Sequence, residues 1–124
     1  MTQYIGIAHS SVIVSRLEDS LNFYQDVLGM KLDNTRPSLG YPGAWLTLGD
    51  QQIHLLQLHN PDSTTNRPEH GGRDRHTAIL VRGFEELVET LKKSHIEFTL
   101  STSGRKALFC RDPDGNTLEM ISVD

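Results

Sequence analysis

The 124-residue chain has one cysteine, no long apolar run and no excess of basic charge. Each lack excludes something. A lone thiol, Cys110, cannot close an intramolecular disulfide, so nothing points to a secreted disulfide scaffold. No window approaches the roughly 20 apolar residues of a membrane span. The opening Met1-Thr-Gln-Tyr-Ile-Gly-Ile-Ala8 carries no basic region, so no signal peptide is expected and a cytoplasmic location is the default. Twelve Lys plus Arg against 16 Asp plus Glu leave a formal charge of −4. That balance argues against nucleic acid or an anionic membrane as the main partner. The length fits one ordinary domain, and a hydrophobic share of 36% is enough to build a core. What stands out by its presence is histidine, six of them in a short acidic chain.

The order of elements recurs along the chain. Residues Ile5 to Val14 read as a strand rich in Ile and Val, and Ser15 to Glu18 as a capping box. Leu17, Leu21, Tyr24 and Leu28 fall on one helix face, which Gly29 ends. Strands follow at 30–34, 44–48 and 52–58, separated by a Pro/Gly-rich loop over 36–43 and a Gly49-Asp50 turn. The polar stretch 59–75 contains no aliphatic residue and reads as a linker. A strand at 76–82, a helix marked by Phe84, Leu87, Val88 and Leu91, and strands at 96–100, 107–111 and 117–123 repeat the series. Asp112-Pro-Asp-Gly-Asn116 is a strong turn signal between the last two. The pattern predicts an α+β domain over 1–124 with a βαβββ module at 4–58, a linker at 59–75 and a second module at 76–123. The halves share little identity, but landmarks keep an offset: His9 and His76 open their modules, and His54 and Glu119 lie in the closing strands.

Strand residues alternate faces with period two. His9 shares a face with Ile7, Ser11 and Ile13, His54 with Leu56, and Glu119 with Thr117 and Ile121. With helices covering one side of each sheet, His9, His54, His76 and Glu119 are expected to project into one cup. Three imidazoles and a carboxylate make a site for a divalent ion such as Zn, Ni, Fe, Mn or Co. A buried Glu119 is costly unless paired or metal-bound, which favours the same reading.

The run from His9 through Asn22-Phe-Tyr24 to Val27-Leu-Gly-Met-Lys-Leu32 resembles the opening of vicinal oxygen chelate proteins. That superfamily includes glyoxalase I, fosfomycin-resistance enzymes, extradiol dioxygenases and bleomycin-binding proteins. Phe109-Cys-Arg-Asp-Pro-Asp-Gly-Asn-Thr-Leu-Glu-Met120 resembles its closing strand pair. The resemblance covers nearly the whole chain. It implies paired βαβββ modules forming a cupped, partly open mixed sheet, the glyoxalase-like fold. It implies metal ligation by His9, His76 and Glu119, with the fourth position, often Glu or Gln in glyoxalases, falling on His54. It also implies a homodimer, in some members with each site built from module one of one chain and module two of the other.

The expected function is that of a metal-dependent lyase or isomerase like glyoxalase I. The metal would chelate two substrate oxygens and stabilise an enediolate, and Glu119 would shuttle the proton as catalytic base. The alternatives are an extradiol-type dioxygenase using His9, His76 and Glu119, a fosfomycin-type transferase, and a non-catalytic antibiotic binder. The substrate is a small molecule, anionic or thiol-conjugated. Arg105, after a flexible turn, is a candidate to hold its acidic group, and Tyr41 and Trp45 to line the pocket. Arg67, Arg73, Arg75 and His70 read as a solvated connector in preference to a lid. His59, His70 and His95 receive no role, and Cys110 reads as a small core hydrophobe.

Overall fold

A computed structural model describes residues 1–124. It contains two four-stranded mixed sheets. In the first, β1 (His9–Val14), β2 (Lys31–Asp33), β3 (Gly43–Leu48) and β4 (Gln51–Gln57) lie in the order β1-β4-β3-β2. In the second, β5 (His76–Val81), β6 (Phe98–Leu100), β7 (Ala107–Arg111) and β8 (Thr117–Ser122) lie in the order β5-β8-β7-β6. In each sheet the first strand runs parallel to the last, and the other pairings are antiparallel. One helix follows the first strand of each sheet: α1 (Leu17–Leu21), extended by a π-helical segment over Asn22–Val27, and α2 (Phe84–Lys93). This is the expected α+β arrangement of two βαβββ modules. No helix is long and apolar enough to cross a membrane.

Alternation along the strands decides what is buried. Ile53 and Leu55 of β4, Leu118 and Met120 of β8, and Leu108 and Cys110 of β7 enter one core with Phe23 and Tyr24 of the first helical segment and Phe84 and Leu91 of α2. The core is common to both modules. Their strand edges also meet, where the Ser10 and Thr77 hydroxyls lie 3.0 Å apart.

Two local expectations are corrected. The first strand begins at His9, because β4 begins at Gln51 and offers residues 4–7 no partner. Beyond β1 only Ala8 is engaged, its carbonyl accepting from the Gln52 amide at 3.2 Å. Nor does Ser15 form a capping box: the helix is preceded by Arg16, without a side-chain cap. Two distant side chains take the free amide donors instead. Ser15 N donates to Asp114 Oδ1 (3.0 Å) and Leu17 N to Gln57 Oε1 (2.7 Å).

The turn between β7 and β8 does more than reverse the chain. Asp112 Oδ1 accepts from the amides of Asp114 and Asn116, both at 2.9 Å. Asn116 Nδ2 donates to Asp112 Oδ2 (2.8 Å) and to Ile13 O (3.0 Å) in the first module. Tyr24 Oη donates to Asp112 Oδ2 at 2.8 Å from the core side. Burial, then the neighbouring Asp112 carboxylate, push the Tyr24 phenol well above its ordinary value, so it remains a donor. Burial also raises the Asp112 carboxyl, against the lowering effect of its hydrogen bonds. Tyr24→Phe removes one donor from this buried carboxyl and is expected to cost about 1–3 kcal/mol. Urea unfolding should show a lower midpoint with an unchanged slope.

Candidate functional site

The two modules match residue for residue on the face turned away from the core. Ser11 pairs with His54, and Ala78 with Glu119, so each closing-strand residue lies opposite the position two after its module's first histidine. On the other flank, Trp45 pairs with His54 and Phe109 with Glu119. The sequence offset of the histidines thus has a third member, Trp45 and Phe109, which the sequence reading did not use.

In the first module the rings form a stack. Trp45 lies on His54 (centroids 4.6 Å, planes 10° apart), and His54 on His9 (3.9 Å, 14°). His54 Nε2 lies 2.8 Å from Gln52 Oε1, and Gln52 Nε2 donates to Asp33 Oδ2 at 2.8 Å. Burial first, then the nearby His9 and Arg36, hold the His54 imidazole below its ordinary value and favour the neutral form that a metal requires. Arg36 donates to the Tyr41 carbonyl (2.9 Å) and lies over the Tyr41 ring at 5.2 Å. Tyr41 thus reaches this half of the site through Arg36.

In the second module His76 Nε2 lies 3.2 Å from Glu119 Oε1, whose side chain is 8% exposed. His76 Nδ1 donates to the Asp74 carbonyl at 2.8 Å, which leaves Nε2 as the ring nitrogen that faces Glu119. Two ligands bound to one ion at about 2.1 Å stand about 3.0–3.4 Å apart, so this pair has the spacing of two donors on one metal. Phe109 meets the His76 ring edge-on at 5.3 Å. A cavity of about 350 Å³ opens over the pair, and Arg105 lines it.

The four candidate ligands therefore come as two pairs, His9 with His54 and His76 with Glu119. The sequence left open whether the four meet within one chain or across two; within this chain no three such side chains converge. Ile53 and Leu55 of β4 and Leu118 and Met120 of β8 enter the shared core, so His54 and Glu119, which alternate with them, lie on the opposite faces of their sheets.

The linker, expected to be a solvated connector, is held against the sheet. Arg111 Nη1 donates to Asp74 Oδ2 (2.8 Å), Gly115 O (2.8 Å) and Thr117 Oγ1 (2.6 Å), and its Nη2 to Pro68 O. Arg67 takes the other Asp74 oxygen. Gly71 packs so closely that a Cβ there would lie 2.6 Å from Thr117 Cγ2 and 2.9 Å from Phe109 Cβ. Sequence reasoning missed this strap, because the bonds that tie it to the sheet, from Arg111 to Asp74 and Pro68, join residues 37 and 43 positions apart. The paired glycines Gly71-Gly72 were its one visible signal.

Residues 6–120 match the family model described as the Glyoxalase/Bleomycin resistance protein/Dioxygenase superfamily. The chain is 33% identical over 124 residues to a lactoylglutathione lyase of Neisseria meningitidis, covering 93% of this chain and 88% of that one. It is 29% identical over 124 residues to Glyoxylase I 4 of Arabidopsis thaliana, covering 96% and 71%. Among solved structures, a glyoxalase family protein from Bacillus anthracis superposes with a TM-score of 0.78 at 26% identity, covering 98% of each chain. The fosfomycin resistance protein FosX of Listeria monocytogenes superposes with a TM-score of 0.74 at 18% identity, covering 96% and 91%, a likeness of fold.

Burial raises the Asp74 carboxyl, but the hydrogen bonds from Arg67, Arg111 and the Arg75 amide, with the charge of Arg67, outweigh it and hold the group far below the usual carboxylate range. Its contribution to stability is therefore complete above the unfolded value of about 3.9 and is lost as the pH falls toward the folded value. Asp74→Asn should cost about 1–3 kcal/mol at pH 7. The gap between variant and parent in thermal unfolding should narrow as the pH is taken from 4 to 2.

Proposed function

Because the chain belongs to the glyoxalase/bleomycin resistance protein/dioxygenase superfamily, we propose that it is a divalent-metal-dependent lyase or isomerase of the glyoxalase type, with each site completed between two copies. The observation that carries this reading is the pairing of the buried Glu119 with His76, 3.2 Å apart and with His76 oriented by a backbone carbonyl. The relatives named lactoylglutathione lyase support the same reaction class.

His9 and His54 of one chain would join His76 and Glu119 of its partner around the ion. Bound there, a divalent metal supplies Lewis acidity toward two oxygens of the substrate. The protein supplies the rest. His76 is held in one tautomer by Asp74 O, so its Nε2 keeps its lone pair toward the site. The Trp45–His54–His9 stack and the Gln52–Asp33 bond fix the imidazoles of the other half. Glu119 Oε1 lies on the same face and is placed to take a proton from a substrate carbon and return it to the neighbouring one.

Exposed surface supports assembly between chains. A 13.9 kDa monomer is expected to expose about 6,700 Å², and this chain exposes 8240 Å². The surplus is of the size that stable interfaces cover. Leu80 (70% exposed) falls on the His76 face by strand alternation, and Ile7 (72%) lies two residues before His9, just ahead of β1, so both modules expose an apolar residue close in the chain to a ligand.

The test is subunit complementation. His9→Ala and Glu119→Ala proteins should each lose tight Ni or Zn binding, and turnover of the methylglyoxal–glutathione hemithioacetal should fall at least 100-fold. Mixed after dissociation and reassociation, they should form heterodimers with one intact site and regain about one metal ion per heterodimer, or about half an ion per dimer of the mixture at random pairing. A mixture that regains no metal would overturn the shared site. Metal-loaded wild-type protein that does not turn over the hemithioacetal would overturn the lyase reading.

A further inference from the structure

The cavity over His76 and Glu119 holds more positive charge than the metal reading requires. Two guanidinium groups, Arg73 and Arg105, line it. Neither side chain has a hydrogen-bond or ion-pair partner, whereas the neighbouring Arg67, Arg75 and Arg111 are each paired with Asp62 or Asp74. The chain is acidic overall, yet the one carboxylate that lines the cavity is Glu119, already engaged by His76. Two unpaired guanidiniums thus share one cavity of a net-negative protein.

Arg73 is also held in position. The Gly72 amide donates to His70 Nδ1 at 3.0 Å, so Nδ1 is the bare nitrogen and Nε2 carries the proton. That proton goes to the Leu100 carbonyl at 3.1 Å, and the ring leans on Phe109 at 5.2 Å. His70 therefore ties the tight turn Gly71–Arg73 to the end of β6, beside the loop that carries Arg105. Ser101 and Ser103, whose hydroxyls bond each other at 2.7 Å, shape that loop. The clamp fixes both ends from which the two arginines reach the cavity.

We propose that Arg73 and Arg105 form a subsite for a compact oxyanion on the substrate (a carboxylate, phosphonate or phosphate), with His70 as the positioning residue for Arg73. Two guanidiniums without protein acceptors can each offer paired N–H donors to one such group. A volume of about 350 Å³ accommodates the anion and a short connection to the atoms that react beside Glu119. The inference rests on the proposed function for where those reacting atoms lie, but the anion subsite itself needs no metal.

The experiment uses the full chain in EDTA, titrated with methylphosphonate, inorganic phosphate and acetate, and with acetamide as the uncharged control. Binding is followed by shifts of the backbone amide resonances. Saturable shifts at residues 70–73 and 101–105 are expected with at least one of the three anions, and none with acetamide. The preferred probe separates a tetrahedral from a planar group. Arg73→Gln and Arg105→Gln should each weaken that binding about tenfold without moving the thermal midpoint. His70→Ala should weaken it only in the presence of Arg73, which a merely structural role would not produce. Equal binding by the Arg73→Gln/Arg105→Gln double variant, or saturable acetamide binding, would overturn the proposal. Anion binding by a protein inactive on the hemithioacetal would overturn the lyase reading and leave the subsite standing. Turnover without anion binding would do the reverse.

Discussion

One constraint governs the molecule: each sheet has two faces, and the chain has one core to offer. The core takes Ile53 and Leu55 from β4, and Leu118 and Met120 from β8. Alternation then leaves His54 and Glu119 no choice of side. Every candidate ligand is placed by the burial of its neighbours. Alternation places both ligand pairs on the sheet faces opposite the core, and no three of the four side chains meet within one chain. The proposed shared site would be closed by partner surface, which would cover the exposed Ile7 and Leu80.

The halves are matched in register but not in chemistry. The first contributes stacked imidazoles on an indole, braced by the Gln52–Asp33 bond. The second contributes an acid and an imidazole under a strap and two unpaired arginines. Phe109 stands where Trp45 stands, but it meets His76 with its edge, and it also supports Gly71 and His70. The long linker belongs to this second half, which explains why only one of the two modules has such a strap.

Much of this was legible in the sequence, and the boundary between what was and what was not is physical. Period-two alternation is local, so the faces of His9, His54 and Glu119 could be read from their neighbours. The repeat was visible as pattern, and Asp112–Asn116 as turn chemistry. What could not be read depends on bonds between distant side chains. Ser15-x-x-Glu18 has the form of a capping box, yet Asp114 takes the Ser15 amide and Gln57 the neighbouring Leu17 amide. The linker has no periodicity, and its order comes from Arg111, 37 residues beyond Asp74. Whether the four ligands meet within one chain or across two was not legible for a related reason: alternation fixes which face a side chain takes, not which way that face turns once two sheets share a core.

Three carboxyls are buried, and the way each is compensated separates structure from chemistry. Asp112 accepts from Tyr24, from the Asn116 side chain and from two backbone amides. Asp74 accepts from Arg67, Arg111 and the Arg75 amide. Both are fully satisfied, and both are joints, one between the modules and one between strap and sheet. Glu119, 6% exposed, has a single polar neighbour, an imidazole whose other nitrogen is already committed. Burying a carboxylate with so little compensation is unfavourable on its own. The deficit lies at the point where the repeat register places a ligand, where the cavity opens and where the unpaired arginines gather. A cation completing the coordination of Glu119, and an anion completing that of Arg73 and Arg105, would remove both imbalances in one bound complex.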